Sequence, residues 1–301
     1  MRRKPETLQF LDQVIVHGRL KTIMSAIAKV HRTTGKKPKS LVVTGRSGAG
    51  KTTLLKHYMK KVPQQDTETV DHRPVIFFEV PPQSDLRSFQ IEMLRAVGHP
   101  RPDMRATLGQ MQSVIIDMLK TLRVELIIVD EFHDALYRTT KAAPHIARLI
   151  KYVMNELEIP WVLTGLPEAA EVLESGDQQL RRRLDACQHL EPFGIDSDAR
   201  FDEFRGYLRA VQRILPFSSV NLDEENVALR MYCATQGLPG FISNLIEELI
   251  EHHDGDRRAT KSDFAAAYAA AFWEERPLDD GLVDFNPFLE NMDVVRRAIY
   301  A

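Results

Sequence analysis

At 301 residues the chain has room for one large or two modest domains, each with a true core. A composition of 44% hydrophobic and 27% charged residues excludes extensive disorder. A net charge of −2 excludes a global basic field, so any nucleic-acid contact has to come from a local patch or from many subunits presenting one together. Two cysteines, Cys187 and Cys233, do not make a disulfide framework and suit a reducing compartment. The basic start MRRK is not followed by the apolar core of a secretory signal, and no apolar run reaches the ~18 residues of a membrane span. The expectation is a soluble, cytoplasmic protein.

In chain order, residues 7–32 carry apolar residues at helical spacing in two segments broken near Gly18. SLVVTG is a short apolar strand, and Thr53 to Val62 continues as a helix. RPVIFFEV is a second strand, ended by Pro81-Pro82, and Leu86–Val97 and Leu108–Leu122 are amphipathic helices. VELIIVDE is a third strand, Pro144–Leu157 a helix, and IPWVLTG a fourth strand. A helix over 167–174 and the cluster QLRRRLDA precede a fifth strand, CQHLEPF. Unbroken apolar strands alternating with helices imply a parallel sheet covered on both faces. Beyond about Asp196 the pattern is helical only, at 198–214, 223–236, 239–253 and 261–275. The expected organisation is an N-terminal helical segment (1–38), an α/β core (39–195), a helical lid (196–276) and a tail (277–301) that docks on something.

The chemistry concentrates in TGRSGAGKTTL. Gly45, four residues, then Gly50-Lys51-Thr52 is the spacing of a phosphate-binding loop, here following a strand and opening a helix. Gly45, Arg46, Ser47, Gly48, Ala49, Gly50, Lys51, Thr52 and Thr53 are therefore the candidate nucleotide contacts, with Lys51 on the β/γ-phosphates and the Thr52 hydroxyl on Mg²⁺. Downstream, LIIVDE ends a strand on two acids. Asp130 is the second Mg²⁺ residue, and Glu131 is placed to orient or deprotonate an attacking water. Small kinases that phosphorylate a substrate held in their own cleft do not need that second acid, so the pair points to ATP hydrolysis. Thr164, at the end of WVLTG, either senses the γ-phosphate or the water, or is a turn residue before Gly165-Leu166-Pro167. Of Arg181, Arg182 and Arg183, one or two either reach a neighbouring subunit's nucleotide as an arginine finger or form a solvated helix end.

These features together resemble an AAA+ ATPase with its helical lid. More narrowly, VIFFEVPPQSDLRSFQIEMLRAVGHP, LIIVDEFHDAL, ARLIKYVMNELEIPWVLTGLPEA, QLRRRL and GLPGFISNLI resemble the TniB/TnsC family of bacterial transposition regulators, from about residue 8 to 255. The resemblance implies a five-stranded parallel sheet with a C-terminal lid. It also implies ATP-bound subunits forming a homo-oligomeric ring or helical filament on duplex DNA without sequence preference. That assembly would recruit or activate a DDE-type transposase, with a TniQ-type target adaptor as a further partner. Hydrolysis would dissolve it; slow hydrolysis stimulated by a partner would be consistent with the lid departure described next. Arg182 or Arg183 of one subunit would complete the next subunit's site. Family members carry DNA-facing residues after the second and third core strands, where the basic residues of this chain are Arg87, Arg105, Arg138 and Lys141. The family's place in bacteria implies a cytoplasmic, DNA-associated protein.

One departure stands out. AAA+ lids commonly offer an arginine where GLPGFISNLI has Phe241, so another arginine substitutes or the lid grips the nucleotide weakly. The competing function is an AAA+ ATPase acting on a protein partner, in secretion or another adaptor role, without DNA. A replication initiator would need a winged helix for which residues 255–301 are too few. Among the remaining residues, His17 and Val16 precede the core where an adenine often stacks, although a partly buried histidine is the plainer reading. His133 orients the acidic loop, Trp161 and Trp273 pack in the core, and Phe285, Phe288 and Leu289 anchor a partner or pack on the lid.

Overall fold

A computed structural model describes residues 3–63, 65–67, 70–82, 84–99, 102, 105–136, 142–169, 184–272 and 285–300. The chain divides into two compact units: Gly18–Arg46 with Lys51–Leu190, and Met1–His17 with Ser47–Gly50 and Glu191–Ala301. Helix α1 (Pro5–Leu11) belongs to the second unit and is taken up with it.

The first unit opens with α2 (Gly18–His31), β1 (Ser40–Thr44) and α3 (Lys51–Lys61). A small antiparallel hairpin follows, β2 (Gln65–Thr67) and β3 (Val70–His72), then β4 (Val75–Glu79), α4 (Leu86–Ala96) and α5 (Leu108–Thr121). Next come β5 (Leu126–Asp130), the short α6 (His133–Leu136), α7 (Ala142–Leu157), β6 (Trp161–Gly165) and β7 (Leu184–His189). The five-stranded sheet has the order β4-β5-β6-β1-β7, with every pairing parallel. Strands β1, β5 and β6 are buried along their whole length, which is why their sequences are apolar runs without alternation. Trp161, as expected of a core residue, packs with Phe89, Phe132 and Ile150. The hairpin was not anticipated, because QDT and VDH offer no apolar alternation to read.

Register sets the site. Val43 of β1 lies opposite Thr164 of β6, and Val129 of β5 lies opposite Leu163. Asp130, one residue on, therefore comes level with Thr164 at the carboxyl edge of the sheet, beside the loop leaving β1. Two covering helices start on side-chain caps: Asp85 accepts from the Ser88 N–H at 2.8 Å, and Thr107 with Gln110 forms a capping box on α5.

The second unit contains α1, α8 (Asp198–Ile214), α9 (Glu225–Thr235), α10 (Pro239–His252), α11 (Lys261–Ala271) and α12 (Met292–Tyr300). Its core gathers Phe193, Phe204, Leu208, Ile246 and Phe264, with Phe10 of α1 among them. The Lys4 ammonium donates to the carbonyls of Ile250 (3.1 Å) and His253 (2.9 Å), a cation on the negative end of α10. His17 packs in an aromatic group, tilted against Phe193 at 4.9 Å and edge-on to Tyr207 at 5.7 Å.

The C-terminal stretch holds a helix, α12, that its Pro, Asp and Gly breaks had hidden. Buried Arg230 donates to the carbonyls of Pro287 and Glu290, and the Asn286 amide donates to the Ala265 carbonyl at 2.9 Å. Phe285 and Phe288 are buried, Phe288 against the Phe264 ring at 5.5 Å, while Leu289 is 69% exposed. Of the three tail residues, the two phenylalanines pack on their own unit. Trp273 lies outside the described residues.

Asp263 closes the start of α11. It accepts from the Thr260 N–H (2.7 Å) and hydroxyl (2.8 Å) and takes both arms of the Arg257 guanidinium. The Arg257 contact, chiefly, holds its carboxyl far below the usual range. A depressed folded pKa means the stabilisation is complete above the unfolded carboxyl's ~4 and is lost as pH falls through the folded value. Asp263→Asn is expected to lower stability by about 1 kcal/mol at neutral pH. The gap to wild type should narrow on acidification below about pH 4, as followed by denaturant midpoints at both pH values.

Candidate nucleotide site

At the sheet edge, Lys51 begins α3 and is 5% exposed; its ammonium donates to the carbonyls of Gly45 (2.8 Å) and Arg46 (3.2 Å). Burial pulls its pKa down, and the Glu131 and Asp130 carboxylates push it back up. A cation desolvated at the head of a helix is a site for an anion. Thr52, the next residue, donates its hydroxyl to Asp130 Oδ2 at 2.6 Å. Asp130 is fully buried and also accepts from the Thr164 hydroxyl and, at 2.9 Å, from the Glu131 N–H.

Glu131 adopts φ +50, the left-handed region, which turns the chain sharply out of β5. The turn is fixed by the Phe132 N–H donating to the Thr164 carbonyl (2.7 Å) and the Asp134 N–H donating to that of Glu131 (3.0 Å). Burial first, then the charge of Asp130, raises the Glu131 carboxyl above its ordinary value; Lys51 and His133 oppose the shift, and Glu79 adds to it. His133 Nδ1 lies 3.0 Å from Glu131 Oε2, which sets the imidazole against this acid.

The residues fit a magnesium–nucleotide complex. Thr52 and Asp130 present two hard oxygens side by side, and Lys51 supplies the positive charge. Among the described residues no group of three His, Cys, Asp or Glu side chains could hold a metal by itself. A cation here would take its remaining ligands from phosphate and water, which is the habit of Mg²⁺.

Thr164 is 1% exposed and engages Asp130, so its hydroxyl positions that carboxylate. Gly165, which follows it, packs against the acidic loop. A Cβ there would lie 3.2 Å from the His133 backbone nitrogen, so a side chain would press on the acidic loop. Arg182 and Arg183, with Arg181, lie outside the described residues, as do Arg138 and Lys141. Arg87 donates to the Ala106 carbonyl at 3.0 Å, tying α4 to the segment before α5, and Arg105 is exposed on that segment.

Ser47–Gly50, the tip of the loop, is bound within the helical unit. Gly48 and Gly50 take φ +77 and +96. The Gly240 N–H, at the start of α10, donates to the Gly48 carbonyl at 2.8 Å. Phe241, standing where a lid arginine was sought, packs its ring edge-on to Phe272 at 5.7 Å. Sequence reasoning passed over Gly240, whose role shows only in three dimensions. A Cβ on it would fall 2.9 Å from Gly48 Cα and 3.0 Å from Gly48 O.

The fold and this site together define an AAA+ P-loop ATPase architecture, and solved structures agree. The ORC1 protein of Aeropyrum pernix, in complex with DNA, matches with TM-score 0.63 at 16% identity, over 88% of this chain and 69% of that one. The ADP form of the A. pernix ORC2 protein matches with 0.60 at 15%, over 98% and 72%. Cdc6p from Pyrobaculum aerophilum matches with 0.58 at 13%, over 87% and 65%, so the chain spans about two thirds of these proteins. At such identities the likeness is one of fold. No curated protein matches the sequence. The family described as "Bacterial TniB protein" matches residues 8–193, and the chain belongs to that family.

Gly240→Ala is expected to lower thermal stability by about 1–3 kcal/mol through overpacking on the loop. Gly206→Ala, at an exposed position of α8 with nothing within 4 Å of its new methyl, should raise it by up to about 1 kcal/mol. Melting curves of the two variants side by side check the opposite signs.

Proposed function

We propose that this chain is an ATP-hydrolysing switch that assembles on target duplex DNA and recruits or activates a DDE-type transposase, with hydrolysis driving disassembly. The observation that carries the ATPase part is the single constellation of Lys51, Thr52, Asp130, Glu131 and Thr164 at one sheet edge. The TniB family assignment supports the transposition part.

In this reading Lys51 and the loop amides bind the triphosphate, and Thr52 with Asp130 holds Mg²⁺. The bound ion would neutralise charge on the phosphate oxygens. Thr164 keeps the Asp130 carboxylate turned toward Thr52. Glu131 accepts a proton from the attacking water, and its raised pKa makes it a better base than an exposed carboxylate. His133 fixes which way that base points. Arg182 or Arg183 of one subunit completes the site of the next in the assembled form, which makes assembly depend on the nucleotide. Hydrolysis is slow until a partner stimulates it, consistent with Phe241 in place of a lid arginine. A TniQ-type adaptor is the second protein partner.

Electron microscopy of the protein with duplex DNA tests the reading, comparing a slowly hydrolysed ATP analogue, ADP and no nucleotide. Rings or filaments are expected on DNA with the analogue alone, and lost in Lys51→Ala. Single particles indifferent to DNA in all three states would sink it in favour of an ATPase directed at protein. Glu131→Gln should keep the assemblies and slow phosphate release at least ~100-fold.

A further inference from the structure

Net charge averages away a strong asymmetry. From Gln13 to Gln65 the chain carries twelve lysines and arginines and no aspartate or glutamate, so against an overall −2 the rest bears −14. These residues form α2, the segment leading to β1, β1 itself and α3. Lys51 is buried at the nucleotide site, but Lys29, Arg32, Lys36, Lys37, Lys39, Lys56, Lys60 and Lys61 are all exposed.

The fold gathers the distal members of this set. His31 Nδ1 meets the Tyr58 hydroxyl at 2.9 Å, joining the last turn of α2 to that of α3, so Arg32 comes beside the turn holding Lys60 and Lys61. The segment with Lys36, Lys37 and Lys39 is pinned to the same end. The Thr34 hydroxyl donates to the Glu125 carbonyl (2.6 Å), the Gly35 N–H to that of Glu158 (3.0 Å), and the Lys39 N–H to the Thr33 hydroxyl (3.1 Å). The Glu125 carboxylate is turned to the imidazoles of His31 (3.3 Å) and His72 (3.4 Å). Burial and then the charges of Lys61 and Lys60 push His57 below its ordinary value. Helix dipoles favour cations in the last turns, which accounts for Lys29, Lys60 and Lys61 but not for Lys36, Lys37, Lys39 or Lys56.

We infer that this end of the sheet unit, carrying Arg32, Lys36, Lys37, Lys39, Lys60 and Lys61, is a binding surface for the phosphate backbone of duplex DNA. It is additional to the segments after β4 and β5 named from the family resemblance. The chemistry is a cluster of five ammonium groups and the Arg32 guanidinium on helix ends and a hydrogen-bonded segment. Tyr58, the aromatic ring on these turns, is buried, so the surface contacts phosphates without stacking on bases and reads no sequence. Lys61 lies ten residues along α3 from Lys51, about 15 Å at helical rise, so DNA held here leaves the nucleotide residues free.

The inference rests on the DNA-binding reading above, and the test separates the two. Anisotropy of a labelled 30-bp mixed-sequence duplex is measured with the full chain and a slowly hydrolysed ATP analogue, across salt concentrations. The variant Lys36→Ala/Lys37→Ala/Lys60→Ala/Lys61→Ala should bind at least ~30-fold more weakly and flatten the slope of log K against log salt by about 3. Its retained binding of fluorescent ADP would show the site intact. Unchanged affinity and slope, with wild type binding DNA, would overturn this inference alone. Wild type that binds no DNA in any nucleotide state would overturn both. A variant that loses DNA-free self-association in sedimentation while keeping its DNA affinity would also overturn it, placing another copy of the chain on this surface.

Discussion

The Asp130 carboxylate, sealed from water, is the constraint around which the sheet unit is organised. A buried carboxylate is tolerated only when its oxygens are met by donors. Here the donors come from three places: the Thr52 hydroxyl on α3, the Thr164 hydroxyl on β6, and the N–H of the residue that follows. One side chain thus fixes the order and register of three elements at their functional ends. A one-residue slip of β6 against β5 would turn Thr164 to the opposite face and leave Asp130 short of a donor. Site geometry and strand pairing are in this sense one requirement.

The parts of this arrangement that are local in sequence were legible there. The phosphate loop announces itself by glycine and lysine spacing, and the acid pair by its place after an apolar run. Strands buried on both faces carry unbroken Val, Ile and Leu, so β1, β5 and β6 could be placed within a residue or two. What escaped was non-local. The hairpin of β2 and β3 is polar, and α12 hides behind residues that usually break helices. Gly165 and Gly240 look like ordinary turn glycines until the neighbouring backbones, 3.2 and 2.9 Å from a missing Cβ, come into view. Thr164 was recognisable as a polar strand end, but its partner depends on register, which no single strand reveals.

Family and fold carry different weight along the chain. The TniB match ends at residue 193, close to where the sheet unit ends at Leu190, and the ORC and Cdc6 likenesses extend further at 13–16% identity. The helical unit is therefore defined by packing more than by sequence kinship. Its cohesion comes from an aromatic core and from cations set on carbonyls: Lys4 at the end of α10, Arg230 on the C-terminal segment.

The left-handed backbone at Glu131 has a consequence for how this site can change over time. An L-residue with a long side chain is strained there, by roughly 1–3 kcal/mol, whereas glycine or asparagine would sit comfortably. Selection for folding alone would drive the position toward those residues. On the ATPase reading proposed above, a relative of this chain that had lost the need to hydrolyse nucleotide would gain stability by abandoning the glutamate, while its phosphate loop could persist unchanged. On that reading degenerate copies should lose Glu131 before the phosphate loop, becoming silent nucleotide holders on the way to losing the site altogether.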